Sequence, residues 1–298
     1  MADTPTQRKT TLTNAVEMFL LDCEARRLTA QTRSGYARDL RTLQRWCNDN
    51  SLVYLDDLDT HHMRQFFVSL AHRGLSGQYQ HNIARSVRAW SNFVVAEELV
   101  AVSPMRRVKM PKLPKKEIVS FGDNDIEAVL RACRTDRDRA LCLVLLDTGV
   151  RASECIMLDV GDVDLRSGVV RVRQGKGQKD RTVYIGARTR RQLQKYLKSR
   201  PHVAEREPLF AGQRIDRLTL SGIVQMMARL AERSGIDHCT AHTFRRTFAL
   251  ACLRNGMNIY VLARMMGHTD ITVLIKYLKL VEQDGQIQHD QFGVVDHL

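Results

Sequence analysis

A set of basic side chains and one tyrosine in this chain have the types and spacing needed for chemistry at a phosphate. In the segment His242-Thr243-Phe244-Arg245, a histidine and an arginine stand three residues apart, which places both on one face of a helix. One anion can therefore contact both side chains. The full set consists of Arg151, Lys176, His242, Arg245, His268 and Tyr277. It predicts a phosphate-binding site with a nucleophile beside it.

Each member of this set also has an ordinary structural explanation. Arg151 can pair with Glu154, three residues away on the same helical face, and Tyr277 can be a core aromatic of an apolar helix. The set as a whole is harder to explain in that way, because its five basic side chains would repel one another if they gathered without an anion. A bound phosphate supplies that anion, so we favour the phosphate site.

The charge balance predicts a polyanionic partner. Lysine and arginine outnumber aspartate and glutamate by 46 to 33, which gives a formal net charge of +13 and a pI near 9.7. Such a chain attracts nucleic acid or an acidic membrane surface. A run of about eighteen apolar residues, as a membrane span needs, is absent from the sequence, and the first residues lack an apolar signal segment. We therefore expect a soluble cytoplasmic protein that binds DNA or RNA and has no membrane partner.

The cysteines and acidic residues predict neither a metal nor a cofactor. The seven cysteines are scattered and never spaced as C-x-x-C, a pattern typical of reduced thiols in a cytoplasm. Asp159, Asp162 and Asp164 resemble the start of a calcium loop, but its glycine and closing glutamate are missing, so we expect them to cap and turn the chain. The segment Gly175-Lys176-Gly177 lacks the order of a nucleotide-binding loop.

The periodicity of apolar residues predicts a mainly α protein with a small antiparallel β-sheet. Residues 11–98 carry helical spacing throughout and divide into about four helices, with Asp59 or Thr60 and Ser76 as N-caps. After residue 118, helices alternate with a β-branched hairpin that places Lys176 near its tip. A length of 298 residues predicts two domains, since one domain typically has about 150.

The two predicted domains, 1–105 and 119–298, are joined by a basic linker at 106–118. The stretch 103–116 holds three of the six prolines and six basic residues without any acid. Proline forbids a continuous helix and like charges favour extension. A solvated linker would share this composition, but the complete absence of acids favours contact with phosphates. The predicted DNA-binding residues are Arg106, Arg107, Lys109, Lys112, Lys115 and Lys116.

Several motifs, taken together, resemble the signature of the tyrosine recombinases, which include phage integrases and Xer-type enzymes. They are the run Thr-Gly-Val-Arg-Ala-Ser-Glu at 148–154, the hairpin Gly175-Lys176-Gly177, the box 242–245, the run Met266-Gly267-His268, and Tyr277 nine positions after His268. All six active positions of the family are filled. The resemblance extends from the helical first half to about residue 283.

The resemblance implies a two-domain DNA clamp and a metal-free strand-breaking reaction. Tyr277 would attack a backbone phosphorus, forming a 3′-phosphotyrosyl bond and releasing a 5′-hydroxyl without ATP or another cofactor. Arg151, Arg245 and His268 would hold the non-bridging oxygens. Lys176 is the expected general acid, His242 would assist proton transfer or hold the phosphate, and Glu154 would orient the cluster.

The partners implied by the resemblance are double-stranded DNA with a specific core site and three further copies of the chain. The expected synaptic complex is a homotetramer in which residues 284–298 dock on a neighbouring protomer. Because the first helix is predicted near residue 11, we expect no separate arm-binding domain. Integration, excision, transposition and resolution of DNA all fit. Two other activities fit the same fold: relaxation of supercoils by a monomeric topoisomerase, and DNA binding without catalysis.

Overall fold

The computed structural model describes residues 9–111, 113, 118–173, 180–200, 203–212, 216–267 and 271–281. Contacts divide the chain into two compact units, Met1–Lys116 and Glu117–Leu298. The first unit is built from helices, and the second combines helices with one three-stranded antiparallel sheet. The predicted fold class, mainly α with a small antiparallel sheet, is confirmed.

Four helices form the first unit, and each begins at a side chain that accepts a hydrogen bond from the first turn. The four caps are Thr11, Thr29, Asp59 and Ser76, so the sequence predicted the last two correctly. The buried faces enclose Trp90, whose Nε1 donates to the carbonyl of Ala15 at 3.2 Å. The elements are α1 (Leu12–Ala25), α2 (Ala30–Asp49), a 3-10 turn (Leu55–Asp57), α3 (Thr60–His72) and α4 (Gly77–Ala96).

The first part of the predicted linker, up to Pro111, is packed on this first unit. Met105 and Val108 are buried in its core. Arg88 of α4 donates to the carbonyl of Val108 at 2.7 Å, and a ring nitrogen of His81 lies 3.0 Å from the carbonyl of Pro111. The first unit thus extends past residue 105, where the sequence predicts its end, because apolar side chains alternate with the basic ones. Lys112, Lys115 and Lys116 lie outside the described residues.

In the second unit, helices surround a small sheet of order β1-β2-β3. Val170 pairs with Val183 and Val172 with Arg181, so one sheet face is apolar except for Arg181. The predicted hairpin strands are confirmed, and the tip with Lys176 lies outside the described residues. The elements are α5 (Asp123–Ala132), α6 (Asp136–Thr148), α7 (Ala152–Met157), a 3-10 turn (Val160–Asp162), β1 (Val163–Asp164), β2 (Val169–Val172), β3 (Arg181–Tyr184), α8 (Ala187–Lys198), α9 (Leu220–Ser234), α10 (Ala241–Arg254), α11 (Ile259–Met266) and α12 (Thr272–Val281).

A left-handed glycine joins α6 to the segment that carries Arg151. Gly149 has φ +58° and ends α6, with its N–H donating to the carbonyl of Leu145 at 3.1 Å. A Cβ at this position would lie 2.2 Å from Cδ1 of Phe248 in α10. Only glycine allows both the turn and the close approach. The chain therefore leaves α6 directly against α10 and brings Arg151 towards Arg245.

The aspartates at 159, 162 and 164 have structural partners in this fold. Asp159 and Asp162 pair with Arg173, and Asp159 also accepts from Arg217 at 2.5 Å. Within the described part of the chain, no group of three His, Cys, Asp or Glu residues is arranged to hold a metal ion. Among the helices in the described ranges, none is long and apolar enough to cross a membrane.

Candidate active site

Arg151 stands at the N-terminal end of α7 and remains partly open to solvent. Its N–H donates to Oε2 of Glu154 at 2.8 Å, and its Nη1 donates to Oε1 of the same carboxylate at 2.8 Å. Its Nη2 donates to the carbonyl of Gly267 at 3.2 Å. The side chain keeps 41 % of its surface exposed. Arg151 therefore pairs with Glu154 while part of its guanidinium stays accessible to solvent.

Glu154 links Arg151 to a second arginine, Arg181, which the sequence reasoning missed. Arg181 donates to Oε1 of Glu154 at 3.0 Å and to Oε2 at 2.6 Å, and its side chain is only 6 % exposed. Burial by itself raises the pKa of Glu154, but hydrogen bonds from Arg181 and Arg151 outweigh it and hold this pKa below its ordinary value. One signal was available: Arg181 is a charge on the apolar side of β3, in phase with Val183.

Arg245 lies on the buried face of α10. It is 5 % exposed and donates from Nη1 to the carbonyl of Gly149 and from Nη2 to the carbonyl of Met266, the latter at 2.7 Å. Burial and, to a smaller extent, the charge of Arg151 lower the pKa of Arg245 to about 10. The guanidinium still carries its charge at neutral pH. A permanent cation is thus fixed within the core beside Arg151.

The C-terminal end of α11 collects all three of these guanidinium groups. The successive carbonyls of Met265, Met266 and Gly267 accept from Arg181, Arg245 and Arg151, in that order. The last carbonyls of a helix lack helical partners and carry the negative end of its dipole. Gly267, at φ +66°, ends the helix there. The carbonyls at the end of α11 and the carboxylate of Glu154 therefore hold the three cations close together.

His242 occupies the first turn of α10, next to the cap residue Thr240. The hydroxyl oxygen of Thr240 accepts from the N–H of Thr243 at 3.1 Å. Desolvation of the imidazole lowers the pKa of His242 below its ordinary value of 6.5, and the charges of Arg246 and Arg245 lower it further. These effects favour the neutral imidazole. In this form one ring nitrogen donates and the other accepts.

Tyr277 lies on α12 and packs against α10. It is 7 % exposed and belongs to an apolar cluster with Phe248, Leu262 and Leu274. It also interacts electrostatically with the guanidinium of Arg245, whose pKa an ionised phenol raises. The structure thus brings Arg151, Glu154, Arg245 and Tyr277 into one region. The predicted site residues Lys176 and His268 lie outside the described part of the chain.

The first unit carries a polar groove of about 920 Å³ between α2 and α4. On its floor the buried carboxylate of Asp39 accepts from Ser86 at 2.7 Å and from Nε of Arg38 at 3.1 Å. The guanidinium of Arg38 also lies 5.9 Å from the ring centre of Tyr79. These contacts hold Arg38 at the groove. Arginine, histidine and amide side chains in the lining include Gln31, Arg38, His81, Asn82, Arg85, Arg88 and Asn92.

Each of the two units matches the model of a known protein family. The model of the Phage integrase family matches residues 120–284, and that of the Phage integrase N-terminal SAM-like domain matches residues 16–98. The tyrosine recombinase XerD of Pseudomonas putida is 31 % identical over 280 residues, covering 89 % of this chain and 91 % of that protein.

Solved structures show the same fold at lower sequence identity. The Tn1549 transposon integrase in complex with a circular intermediate DNA aligns with a TM-score of 0.76 at 19 % identity, covering 90 % of this chain and 94 % of that one. A lambda integrase dimer bound to a core site aligns with a TM-score of 0.75 at 16 % identity, covering 90 % of this chain and 77 % of that one.

Proposed function

Since this chain belongs to the phage integrase family and is a tyrosine recombinase that breaks and rejoins DNA in site-specific recombination, we propose that Tyr277 is its nucleophile and that Arg151 and Arg245 hold the DNA phosphate. The observation that carries this proposal is the gathering of guanidinium groups at the end of α11, with Tyr277 on α12, which packs against the helix α10 that carries Arg245. The matched family region, 120–284, contains all of these residues.

The proposed reaction exchanges one phosphodiester for another. The oxygen of Tyr277 bonds to the phosphorus while the bond from phosphorus to the 5′-oxygen breaks, leaving a 3′-phosphotyrosine and a 5′-hydroxyl. The phenol loses its proton during attack and the leaving oxygen gains one. We assign the second transfer to Lys176. The energy of the broken bond is kept in the new ester, so rejoining requires no nucleotide or other cofactor.

Arg151 and Arg245 stabilise the charge that develops on the phosphate oxygens. Arg151 is the more exposed, and its Nη2 can exchange the carbonyl of Gly267 for a phosphate oxygen. Arg245 is buried and held by two carbonyls, so its position is fixed before DNA arrives. In other enzymes, loss of one such electrostatic contact lowers the rate about 10²- to 10³-fold. In our proposal Glu154 and Arg181 position Arg151.

The two histidines complete the phosphate site in this proposal. The surroundings of His242 favour its neutral imidazole, which can donate a hydrogen bond to a phosphate oxygen or accept a proton from Tyr277. His268 directly follows Gly267 in the sequence, and the carbonyl of Gly267 accepts from Arg151. We therefore place it among the ligands of the non-bridging oxygens.

Tyr277 must become more exposed before it can attack. The residue is 7 % exposed and lies in one apolar cluster with Phe248 and Leu274. An in-line attack requires its hydroxyl to meet the phosphate directly. We propose that DNA binding shifts α12 against α10 and opens the hydroxyl of Tyr277 to the phosphate.

Double-stranded DNA is the proposed partner of both units. The α2/α4 groove of the first unit presents arginine and amide side chains, which hydrogen-bond to phosphates and base edges. Arg106, Arg107 and Lys109 are exposed on the segment that follows, where Lys112, Lys115 and Lys116 add to the basic charge. A net charge of +13 supports tight, salt-dependent binding. We propose that the two units clamp one core site.

Recombination joins two DNA sites, and we propose a homotetramer as the synaptic complex. The segment 284–298 would dock on a neighbouring protomer. Removing 284–298 is then expected to leave binding to a single site intact and to reduce pairing of two sites, as measured by gel mobility with one and two labelled duplexes. Equal recombination by the shortened and full-length proteins would contradict this docking.

A duplex with a nick close to the cleavage position tests the nucleophile. The short strand released by cleavage diffuses away, so the covalent complex accumulates and the modified peptide can be mapped. We expect the adduct on Tyr277 and its complete loss in Tyr277→Phe. Tyr260→Phe is the matched control, because Tyr260 lies exposed on the neighbouring helix α11. An adduct that survives in Tyr277→Phe overturns the proposal.

A further inference from the structure

Two cysteines of the second unit bring their thiols into contact from different helices. Cys133 is the C-cap of α5 and Cys142 lies within α6, with 3.9 Å between their sulfur atoms. Cys142 is fully buried, whereas Cys133 is partly exposed. The pair therefore has one thiol that solvent can reach and one protected thiol directly behind it.

The surroundings of Cys133 favour its thiolate. The hydrogen bond between the two thiols lowers the pKa of Cys133 below its ordinary value of 9.0, against the opposing effects of burial and Asp138. The charges of Arg139 and Arg233 lower this pKa further. Arg139 is fixed at this end of α5 by a hydrogen bond of 2.9 Å to the carbonyl of Leu130. Reactive cysteines typically lie in such electropositive, partly exposed places.

Other cysteines of the chain lack this combination. Burial raises the pKa of Cys47 and of Cys155 to about 12. Cys252 is the useful comparison, because it is partly exposed like Cys133, yet burial raises its pKa to about 11. Exposure alone therefore does not distinguish Cys133 from Cys252; the neighbouring thiol and arginines do.

We propose that Cys133 and Cys142 form a dithiol site that a hydroperoxide oxidises to an intrachain disulfide. The Cys133 thiolate attacks the terminal peroxide oxygen, the O–O bond breaks, and the departing alkoxide takes a proton, which leaves Cys133 as a sulfenic acid. The Cys142 sulfur then attacks the Cys133 sulfur, the S–O bond breaks, and water leaves with the Cys142 proton. Two thiols and one hydroperoxide thus give one disulfide, one alcohol and one water.

The local backbone permits the bond to form. A disulfide joins sulfurs at about 2.05 Å, so the pair must approach by about 1.9 Å from the observed 3.9 Å. Cys133 can supply this movement, because it lies at the end of α5 with an extended ψ of 116°. Two long hydrogen bonds hold it to the helix, from its N–H to the carbonyl of Leu130 and from its Sγ to the carbonyl of Val129, each 3.4 Å. Cys142 remains anchored within α6. The inference does not rest on the reaction proposed for Tyr277.

Peptide mapping of the full-length protein tests this site. The reduced protein is treated with one equivalent of hydrogen peroxide, free thiols are alkylated, and peptides are separated without reductant. We expect a peptide pair linked through Cys133 and Cys142 that thiol reductants resolve. The pKa of Cys133 is lowered and that of Cys252 is raised, and a larger thiolate fraction outweighs the accompanying loss of nucleophilicity, so Cys133 should react faster than Cys252.

Three variants separate the two steps. Cys142→Ser should leave a sulfenic acid on Cys133 that a cyclic diketone captures, Cys133→Ser should abolish the linked peptide, and the matched control Cys252→Ser should retain it. The mapping of the unaltered protein is decisive even if a variant folds poorly. Absence of the linked peptide, or oxidation of Cys133 no faster than Cys252, would overturn the proposal.

Discussion

Arg181 provides a strong test of how the candidate active site is held together. Its side chain is 6 % exposed, donates to both oxygens of Glu154 and also donates to the carbonyl of Met265 at 2.7 Å. The structure shows Glu154 paired with Arg151 and Arg181, so Arg181→Met leaves it with Arg151 alone of these two. Removing one partner of a buried ion pair costs about 3–5 kcal/mol. We expect the free energy of unfolding of the second unit to fall by that amount.

Urea unfolding followed by circular dichroism measures this loss. Lys195→Met is the matched control in the same unit, because the ion pair of Lys195 with Asp136 leaves the lysine side chain 69 % exposed. Exposed pairs contribute at most about 1 kcal/mol. The double variant Arg181→Met, Glu154→Gln should recover part of the loss, since it removes the unpaired charge. If Arg181→Met costs no more than Lys195→Met, the reasoning is refuted.

The same variant gives a test of pH dependence. The folded pKa of Glu154 lies below its ordinary value, so Glu154 stabilises the fold fully above its unfolded pKa of about 4.3 and loses this contribution as pH falls through the folded pKa. In Arg181→Met, only the contacts with Arg151 still counteract the effect of burial, so the pKa of Glu154 rises. The stability difference between the two proteins should therefore be largest near neutral pH and shrink below about pH 5. An unchanged difference at pH 4 would contradict this.

Two further predictions concern the turn at Gly149 and the imidazole of His242. Gly149→Ala places a Cβ at a φ of +58° and against Phe248, so it should lower the free energy of unfolding by about 2–4 kcal/mol in urea. The control Gly74→Ala, at φ +66° with open space around it, should lower it by only about 1–2 kcal/mol. Equal losses would refute the packing argument. His242 should titrate below pH 6.5 by NMR, and Arg246→Gln should raise that pKa; a value of 6.5 or above in the unaltered protein would refute this.

Features set by local chemistry were predictable from the sequence. The apolar periodicity gave the helices, and the capping chemistry of Asp59 and Ser76 fixed where two of them begin. The β-branched residues around 169–185 located the hairpin strands. The pairing of Arg151 with Glu154 was also foreseen as one alternative, since three residues separate them on one helical turn.

Features that depend on tertiary packing were not predictable. Arg181 reaches Glu154 across 27 positions of sequence, and no spacing rule connects them. The acceptors at the end of α11 are backbone carbonyls, which every residue carries, so the sequence contains no mark of them. Burial of Val108 follows from contacts with the first unit that composition does not reveal. In each case the partner is far away in the chain.

The central claim is that the guanidinium groups neutralise the charge of the phosphate attacked by Tyr277. Arg151→Ala is the variant to use, because its 41 % exposed side chain can be removed with little loss of core packing. Single-turnover cleavage should be compared on a nicked duplex with an ordinary phosphodiester and on one with an uncharged methylphosphonate at the cleavage position. We expect Arg151→Ala to cleave the phosphodiester about 10²- to 10³-fold more slowly than the unaltered protein and the methylphosphonate at nearly the same rate. An equal loss on both substrates would contradict the account.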